Sequence, residues 1–395
     1  MDDRLVTTAR VTEQLVRDLG LPYFATLVAE EYFASEAVRI TAAEQEVYAA
    51  FAKTCYRDLS DALDELSAGP YRREFGLSPK LWALATESWL HRERHVHAFG
   101  RFDVAGVVDG TPARLIEFNA DTATVLAEAA LLQPAVPGGE GPWNDIVDRL
   151  AGRLSAAAEL CPPEDRLVLI ATLGHGEDDD SARVWKMAAE QAGLYAEIGH
   201  LPSVTFAPGE GVYRQLGPKS WTKFGILVKL FPWDWIDREE PALLDDLAAL
   251  LADDGLVVVN PPYASLMQSK AMLAELHRRH RGEERYLAAG WGDAPAEEKA
   301  WVATKPLFGR EGENVEVRRG DGKLHARADG AYGGLPRMWQ AYTRLPVDGE
   351  GDTYQAGVYW AGQACGLAWR RSSGVIVDAD AEYLSGLVGD SGADR

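Results

Sequence analysis

The chain has 395 residues, of which 47% are hydrophobic and 26% are charged, a balance typical of a soluble globular protein. That length predicts two or three packed subdomains rather than one simple core. Lys and Arg total 40 against 61 for Asp and Glu, so the formal net charge is −21, which disfavours nucleic acid or an anionic membrane as a partner.

Residues 1–98 predict a mainly helical region. Ala42–Leu59 carries apolar residues at helical spacing, and Ser78 followed by Pro79 is typical of a helix N-cap with proline at the first helical position. The acidic, amphipathic start lacks a signal-peptide pattern, and no segment approaches the roughly 18–20 continuous apolar residues of a membrane span. The cytoplasm is therefore the expected location, without membrane association.

The next stretch predicts a β-hairpin. Arg101–Val108 and Ala113–Asn119 are apolar and β-branched, and Asp109-Gly110 between them is a strong turn signal. Folding the two strands about that turn places Asp103 roughly opposite Glu117.

Side chains on the second strand of this hairpin alternate between its two faces. Glu117 and Asn119 point the same way, whereas Ile116 and Phe118 face the core. Two carboxylates and an amide carbonyl on rigid strands suit Mg²⁺, which prefers oxygen ligands and usually keeps water and substrate phosphates in its other positions. The pattern predicts a magnesium site, and the alternative is a solvated hairpin with ordinary surface carboxylates.

The hairpin runs directly into a predicted helix, Thr122–Gln133. Thr122 and Thr124 open this helix, whose free N–H groups would offer an anion site beside the metal. Arg101 on the paired strand and the two threonines favour a combined phosphate and metal site over the solvated hairpin.

A buried strand and an acidic loop follow. Arg166–Leu173 is a continuous apolar run typical of a buried parallel strand, and Ala182–Ala192 is the predicted helix after it. The loop between them lies where ligands commonly bind in open α/β sheets. Glu177 and Asp178 in this loop either stabilise the helix start or hold an ammonium group of a substrate.

Further buried strands are predicted at Phe224–Leu230 and Leu256–Asn260, followed by a helix at Ser269–Arg279. Trp235 comes shortly after the first of these strands, and it either lines a pocket or packs in the core. The alternation of strands and helices places the fold in the α/β or α+β class with mixed sheets.

Two lysines accompany a glycine-containing hairpin late in the chain. Lys270 opens the helix after the second strand, and Lys305 ends the strand Trp301–Lys305, which pairs with Val315–Arg318 across the loop Pro306–Asn314. A lysine beside such a loop can clamp phosphates while the loop closes and excludes water. Considered alone, each lysine is an ordinary surface residue.

Histidine and cysteine offer weaker metal patterns. His91, His95 and His97 could chelate zinc, although the charged residues among them favour a helix end. The three cysteines are widely spaced and odd in number, which argues against both a disulfide scaffold and a cysteine metal site.

As a set, these stretches resemble the glutathionylspermidine synthase family of ATP-grasp carboxylate–amine ligases. The matching segments occur in the family's order and cover most of residues 96–380. They are GRFDV (100–104), EFNADTATVLAEA (117–129), KLFPWDW (229–235), QSKAML (268–273), TKPLFGREGEN (304–314), MWQ (338–340) and GLAWRRSSGVI (366–376).

The resemblance implies a permuted ATP-grasp fold with mixed sheets, in which the metal ligands come early and the lid late. A helical N-terminal region would span residues 1–98. The metal-site hairpin and an α/β substrate-binding region would span 99–268, and a nucleotide-binding region would span 269–395. A β-hairpin near 301–318 would be the lid, with Phe308–Asn314 as its moving loop.

Residue roles are carried over from the same resemblance. Arg101 would contact the transferring phosphoryl or the reacting carboxylate, and two Mg²⁺ ions would be held by Asp103, Glu117 and Asn119. The residues implied for ATP are Lys270, Lys305, Gly309, Gly312, Gln340 and Arg370. The residues expected to contact the other substrates are Thr122, Thr124, Glu177, Asp178 and Trp235.

The implied reaction is ATP-dependent amide formation through an acyl phosphate, with ATP as cosubstrate and a small carboxylate and an amine as partners. The amine or acid would be an amino acid, peptide or polyamine; the acidic composition suits a cationic substrate but also serves solubility. No match to the family's amidase half is present, so hydrolysis of a finished conjugate is not expected. Two alternatives stay open: a degenerate ATP-sensing protein, and a metal-dependent hydrolase that uses Asp103, Glu117 and the clustered histidines. The oligomeric state is also open.

Overall fold

A computed structural model describes residues 1–136, 141, 143–253, 255–294 and 300–389. In these residues the chain forms nineteen strands arranged in four sheets. The strands are β1 (Leu5–Thr7), β2 (Phe33–Ile40), β3 (Gly100–Ala105), β4 (Arg114–Asn119), β5 (Leu167–Thr172), β6 (Tyr195–His200), β7 (Val204–Ala207), β8 (Gly211–Gly217), β9 (Ser220–Phe224), β10 (Ile226–Lys229), β11 (Val257–Val259), β12 (Ala289–Trp291), β13 (Val302–Pro306), β14 (Glu316–Arg318), β15 (Leu324–Arg327), β16 (Arg337–Ala341), β17 (Thr353–Trp360), β18 (Ala364–Ser372) and β19 (Glu382–Val388).

Eleven α-helices lie in the same described ranges. They are α1 (Glu13–Asp18), α2 (Phe24–Leu27), α3 (Ala42–Ala68), α4 (Pro79–Leu90), α5 (Gln133–Ala135), α6 (Ile146–Glu159), α7 (Gly176–Gln191), α8 (Trp233–Glu239), α9 (Pro241–Ala252), α10 (Ala264–Gln268) and α11 (Ala271–Arg279). A π-helix, Glu128–Leu132, leads into α5. None of the described helices is long and apolar enough to cross a membrane.

A seven-stranded mixed sheet, in the order β1-β2-β19-β18-β17-β3-β4, runs through the molecule. The predicted helical N-terminal region is only partly helical, because β1 and β2 pair with each other and β2 joins β19 in parallel. The apolar side chains of Val38 and Ile40 are fully buried in this sheet, which explains why the segment is extended. Strands from residues 1–98, 99–268 and 269–395 share this sheet, and the domain boundaries at 98 and 268 stay a prediction.

The helices of the N-terminal region begin where the sequence indicates. Thr41 and Glu44 form a capping box at the start of α3, with N–H to oxygen distances of 2.8 and 3.2 Å. The hydroxyl of Ser78 accepts from Leu81 N–H at 3.1 Å and caps α4, whose first residue is Pro79, as predicted.

A four-stranded parallel sheet, in the order β11-β10-β5-β6, contains all three buried strands that the sequence predicts. The predicted loop after β5 is shorter than expected, because α7 already begins at Gly176. Glu177 and Asp178 therefore lie in the first turn of this helix rather than in a loop, where carboxylates complement the helix dipole.

The lid strands belong to a five-stranded antiparallel sheet in the order β12-β16-β13-β14-β15. Strands β13 and β14 pair as the predicted hairpin, and residues 307–315 connect them. A smaller antiparallel sheet, β7-β8-β9, completes the described architecture.

The predicted helix Thr122–Gln133 is wrong at its start. Helical structure begins only at Leu126, and residues 121–125 form an irregular loop. Val125 has φ +63°, a backbone conformation that a continuous right-handed helix cannot include. The two threonines therefore lie in a loop in front of the helix.

Candidate active site

A cleft of about 320 Å³ opens between the β3–β4 hairpin, the start of α7, the β13–β14 hairpin and strands β16 and β18. The predicted site residues that line it are Arg101, Asp103, Glu117, Asn119, Thr122, Thr124, Glu177, Asp178, Lys270, Lys305, Gly309, Gly312, Gln340 and Arg370. The fold thus brings together residues that are up to 269 positions apart in the sequence, since the cleft lies where the large mixed sheet meets the lid sheet.

The hairpin positions its polar residues through an irregular register. Asp103 pairs with Glu117 as predicted, but the next pair skips one residue, so Ile116 is the extra residue of a β-bulge. As a result Leu115 and Phe118 are buried in the core, whereas Ile116 lines the cleft. The prediction that Ile116 faces the core is therefore wrong, because the bulge breaks the strict alternation on which it depended.

Arg101 and Asp103 form the best-held ion pair of the site. Arg101 donates from Nε and Nη2 to the two carboxylate oxygens of Asp103 at 2.7 and 3.1 Å, and from Nη1 to the carbonyl of Thr124 at 2.9 Å. Asn119 Nδ2 also donates to Asp103 at 3.1 Å. Burial raises the pKa of Asp103, and the guanidinium of Arg101 opposes that shift. The hairpin therefore presents a rigid guanidinium and a polar rim to the cleft.

Glu117 meets two lysines from the later part of the chain. Lys270 Nζ lies 3.3 Å from Glu117 Oε2 and donates to the carbonyl of Gly309 in the lid loop at 2.8 Å. Burial alone would raise the pKa of Glu117, but Lys270, Lys305 and Arg101 outweigh it and lower that pKa. Glu117 is therefore an ionised carboxylate surrounded by cations.

Lys305 lies deeper, on β13. Its ammonium donates to Gln340 Oε1 at 2.9 Å and to the carbonyl of Ile116 at 3.4 Å. Burial lowers the pKa of Lys305 to about 8, although the charge of Glu117 opposes the shift. Gln340 in turn donates to the carbonyl of Leu115 at 3.2 Å, which ties the lid sheet to the hairpin.

Asp103, Glu117 and Asn119 supply oxygen donors of the kind that a hard divalent cation takes. Arg101 pairs with Asp103 and Lys270 pairs with Glu117, so both carboxylate charges are balanced by protein cations even without metal. Across the described part of the chain no cluster of three or more His, Cys, Asp or Glu forms a self-sufficient metal centre. A magnesium ion here would thus depend on phosphate oxygens and water for its other ligands, which is how Mg²⁺ is usually held.

The loop 121–125 is held in place by hydrogen bonds to residues far along the chain, of which Gln268 also lines the cleft. Asp121 accepts from the buried ammonium of Lys229 at 2.6 Å and from Trp233 N–H at 2.7 Å. Gln268 Oε1 accepts from the N–H groups of Ala120 and Asp121 at 2.7 and 3.1 Å. These bonds direct the side chains of the following threonines toward the cleft and assign Asp121 a structural role.

The first turn of α7 forms the acidic side of the cleft. Burial, together with the charges of Glu128 and Glu311, raises the pKa of Glu177 to about 8. Burial also raises the pKa of Asp178 to about 6, and Arg310 opposes that shift. The cleft therefore has a cationic side, at the lysines, and an acidic side.

The lid loop lies over the cleft. Arg310 Nη2 is 3.4 Å from the Thr122 hydroxyl, which links the lid to the loop that follows the hairpin. Gly312 has φ +68°, and a Cβ there would lie 2.6 Å from the carbonyl of Val377, so glycine is required for this path. Sequence reasoning missed Arg310, although its position between Gly309 and Gly312 was a usable signal.

Arg370 lines the cleft, and Glu128 is buried nearby, with Tyr32 in contact with both side chains. Arg370 donates to the carbonyls of Asp378 and Ala381 at 3.0 and 2.8 Å, and its guanidinium lies 5.7 Å from the Tyr32 ring centroid. The Tyr32 hydroxyl donates to Glu128 at 2.6 Å. No sequence pattern indicated Glu128, because its neighbours in the chain are apolar.

Two expectations do not fit this geometry. Trp235 is not among the described residues that line the cleft; it packs edge-on against Phe231, with ring centroids 6.0 Å apart. His97 is buried and bonded to the carbonyl of Ala120 at 2.7 Å, and neither His91 nor His95 lines the cleft within the described residues. Trp235 is thus a packing residue, and the histidines do not join the two carboxylates in a hydrolytic centre.

Known proteins were compared with the chain. A proposed acid–amine ligase of Haemophilus influenzae is 25% identical over 392 residues, covering 92% of this chain and 91% of the relative. A trypanothione synthetase of Crithidia fasciculata is 24% identical over 338 residues. This match covers 79% of this chain and 50% of the synthetase. The solved apo structure of a glutathione synthetase-like effector from Globodera pallida superposes with a TM-score of 0.53 at 11% identity, covering 95% of both chains.

The structural likeness concerns the fold and confirms the expected mixed α/β fold of the ATP-grasp type. The family described as "Glutathionylspermidine synthase preATP-grasp" matches residues 4–389. Because that match spans nearly the whole sequence, the chain belongs to the glutathionylspermidine synthase family.

Proposed function

We propose that the protein is an ATP-dependent carboxylate–amine ligase that forms an amide through an acyl phosphate. The observation that carries the proposal is the convergence of Arg101, Asp103 and Glu117 with two buried lysines in one cleft beneath a glycine-containing loop. Such a site combines fixed cations for phosphate with oxygen ligands for metal. Family membership and the names of the two sequence relatives support the ligase class.

In the first step an oxygen of the substrate carboxylate attacks the γ-phosphorus of ATP. The bond from that phosphorus to its bridging oxygen breaks, and ADP leaves. Arg101 neutralises charge on the transferring phosphoryl, and its bonds to Asp103 and Thr124 mean that little reorganisation is needed. Lys270 and Lys305 hold the phosphates, Gln340 completes the nucleotide side of the cleft, and Arg370, which also lines the cleft, is assigned to phosphate. Asp103, Glu117 and Asn119 would hold two magnesium ions, which would supply further neutralisation of phosphate charge.

In the second step the amine nitrogen attacks the acyl carbon. The bond from that carbon to the phosphate oxygen breaks, phosphate leaves with the electron pair, and the nitrogen loses a proton to give the amide. Water would destroy the acyl phosphate, so the lid loop, with Gly309 and Gly312 as pivots, keeps the closed cleft dry.

The acidic side of the cleft is assigned to the substrate that carries an ammonium group. Glu177 and Asp178 line the cavity at its acidic side, and Thr122 and Thr124 line the same cavity. A carboxylate in such a setting binds an ammonium group of an amino acid, a peptide or a polyamine.

The decisive experiment is an ADP-release screen of carboxylates crossed with amines, with glutathione and spermidine included. Wild type is compared with Glu117→Ala in the presence of Mg²⁺ and ATP. ADP release that needs both an acid and an amine, and that the variant lacks, supports the ligase. ATP hydrolysis that needs neither partner would favour a hydrolase, and ATP binding without any turnover would favour a sensing protein.

A further inference from the structure

Gln268 lines the cleft, and the mechanism above does not use it. It is the last residue of α10, and within residues 256–276 it alone is not buried. Its neighbours Met267 and Ser269 are 2% and 1% exposed. The buried run is therefore interrupted at one point, where a polar side chain reaches the cleft.

The orientation of the Gln268 amide is fixed by the backbone. Its Oε1 accepts from the N–H groups of Ala120 and Asp121 at 2.7 and 3.1 Å. A backbone N–H can only donate, so the atom that faces both groups is the oxygen, and the other terminal atom is the NH₂ group. This Nε2 donates no hydrogen bond to any residue that the structure describes, and it is not one of the buried polar atoms left without a partner there. Gln268 therefore presents a free donor.

The segment that anchors Gln268 is rigid. Asn260 Nδ2 donates to the carbonyls of Ala120 and Asp121 at 3.1 and 2.8 Å, and His97 Nε2 is bonded to the Ala120 carbonyl at 2.7 Å. Both the N–H and the C=O groups of this segment are thus engaged. A donor held on such a segment needs little reorganisation when charge develops on its partner.

The place of Gln268 along the hairpin indicates which ligand it meets. Lys305, assigned to the nucleotide, bonds to the carbonyl of Ile116. Gln268 bonds to Ala120 instead, four residues further on, which is up to about 13 Å of extended chain. Its anchor directly precedes the loop of Thr122, at the end of the hairpin assigned to the other substrates. The free donor is therefore placed at the reacting carboxylate rather than at the nucleotide base.

We propose, on the basis of the ligase function above, that Gln268 is a catalytic residue whose Nε2 donates a hydrogen bond to the substrate carboxylate oxygen that is not phosphorylated. This oxygen becomes the carbonyl oxygen of the acyl phosphate. It gains negative charge when the amine adds to the carbon, and it returns to a carbonyl as the bond from carbon to phosphate oxygen breaks. Gln268 gives up no proton, and its fixed donor stabilises the charge while it exists.

Gln268→Glu separates the donor from the anchor. The introduced carboxylate can still accept from the N–H groups of Ala120 and Asp121, but it has no donor and repels an oxyanion. With the most active carboxylate–amine pair of the ADP-release screen, kcat should fall on the order of 10²-fold, the effect of losing one such donor. Calorimetry should show little change in the Kd for ATP. A side chain that only anchored the loop would keep a kcat close to that of wild type.

Gln363→Glu is the matched control, because it makes the same change of charge at an exposed position between β17 and β18, away from the described residues that line the cleft. It should alter neither kcat nor the Kd for ATP. Circular dichroism checks the fold of each variant. If Gln268→Glu does not fold, Gln268→Met, which is of similar length and lacks both donor and acceptor, should lower kcat by a similar factor.

The outcomes distinguish this inference from the function on which it rests. A wild-type kcat in folded Gln268→Glu would overturn the role of Gln268 and leave the ligase assignment standing. A loss in Gln268→Met that is confined to the KM of the substrates would overturn it as well, since a displaced loop explains that result. Absence of ADP release by wild type with every pair in the screen would overturn the proposed function and this inference together.

Discussion

Lys270 Nζ lies 3.3 Å from Glu117 Oε2, so a cation expected to hold phosphate neutralises a carboxylate expected to hold metal. The same ammonium donates to the carbonyl of Gly309 in the lid loop. One side chain thus connects the metal hairpin with the lid. A nucleotide that draws Lys270 onto its phosphates would free Glu117 and loosen the lid contact at the same moment.

The first prediction is that Mg²⁺ binds weakly without nucleotide, because Lys270 and Arg101 already satisfy both carboxylates. Lys270→Gln should strengthen the binding of Mg²⁺ alone on the order of 10-fold while weakening the binding of ATP, because it removes a buried cation next to Glu117. Isothermal titration with MgCl₂ and then with ATP measures both effects. Lys323→Gln, an exposed lysine, is the control. Tight Mg²⁺ binding by wild type alone would contradict the exchange.

The second prediction concerns the hairpin ligands. Glu117→Ala or Asn119→Ala should lower ATP turnover at least 10²-fold, since each removes a group that stabilises charge in the transition state. The fold should survive, because Leu115 and Phe118 hold the hairpin in the core. ADP release and circular dichroism measure the two effects. Full activity in either folded variant would end the magnesium assignment.

The elements that sequence could predict are those governed by local rules. The cap at Ser78, the buried strand at 167–172 and the pairing of Asp103 with Glu117 follow from short-range chemistry and periodicity. Most of the predicted polar residues line one cleft, and they could be chosen from the sequence because they lie on or beside such elements.

The parts that sequence missed depend on contacts far along the chain. The loop 121–125 replaces the first turn of a predicted helix because Asp121 bonds to Lys229 and Trp233, more than a hundred positions away. Ile116 lines the cleft rather than the core because of a β-bulge that the local sequence pattern does not indicate. The burial of Glu128 could not be predicted, since its hydrogen-bond partner Tyr32 lies almost a hundred positions earlier in the chain.

The third prediction concerns the lid. Trypsin should cleave the lid loop, Phe308–Asn314, after Arg310. This cleavage should be slower with Mg-ATP than without it, because phosphate binding orders the loop. Gly312→Ala should raise the KM for ATP and speed cleavage, since a Cβ there meets the Val377 carbonyl. Gly334→Ala is the control, because a Cβ added at Gly334 would have no other atom within 4 Å. Equal cleavage with and without Mg-ATP would refute the lid.

The fourth prediction is a pH dependence of nucleotide affinity. The pKa of Lys305 is lowered to about 8, so its positive charge is present below that pH and is lost as pH rises through it. ATP should therefore bind more weakly above pH 8 than at pH 7. Lys305→Arg stays charged and should bind with a flatter profile. Calorimetric Kd values across this range make the comparison, and a flat wild-type profile would show that Lys305 does not hold phosphate.

The last prediction concerns the substrate. Glu177 and Asp178 lie in the first turn of α7 and face the cleft opposite the lysines, so at least one substrate should carry an ammonium group. Replacing both by alanine should raise the KM for that substrate about 10-fold or more, since a partly buried carboxylate partner is lost, with little change in ATP affinity. Asp178→Ala alone tests whether a single carboxylate of this pair contributes to the binding. Two results together would contradict this prediction: every productive substrate pair lacks a basic nitrogen other than the reacting amine, and the KM is unchanged in Asp178→Ala. The two carboxylates would then serve only to stabilise the start of the helix.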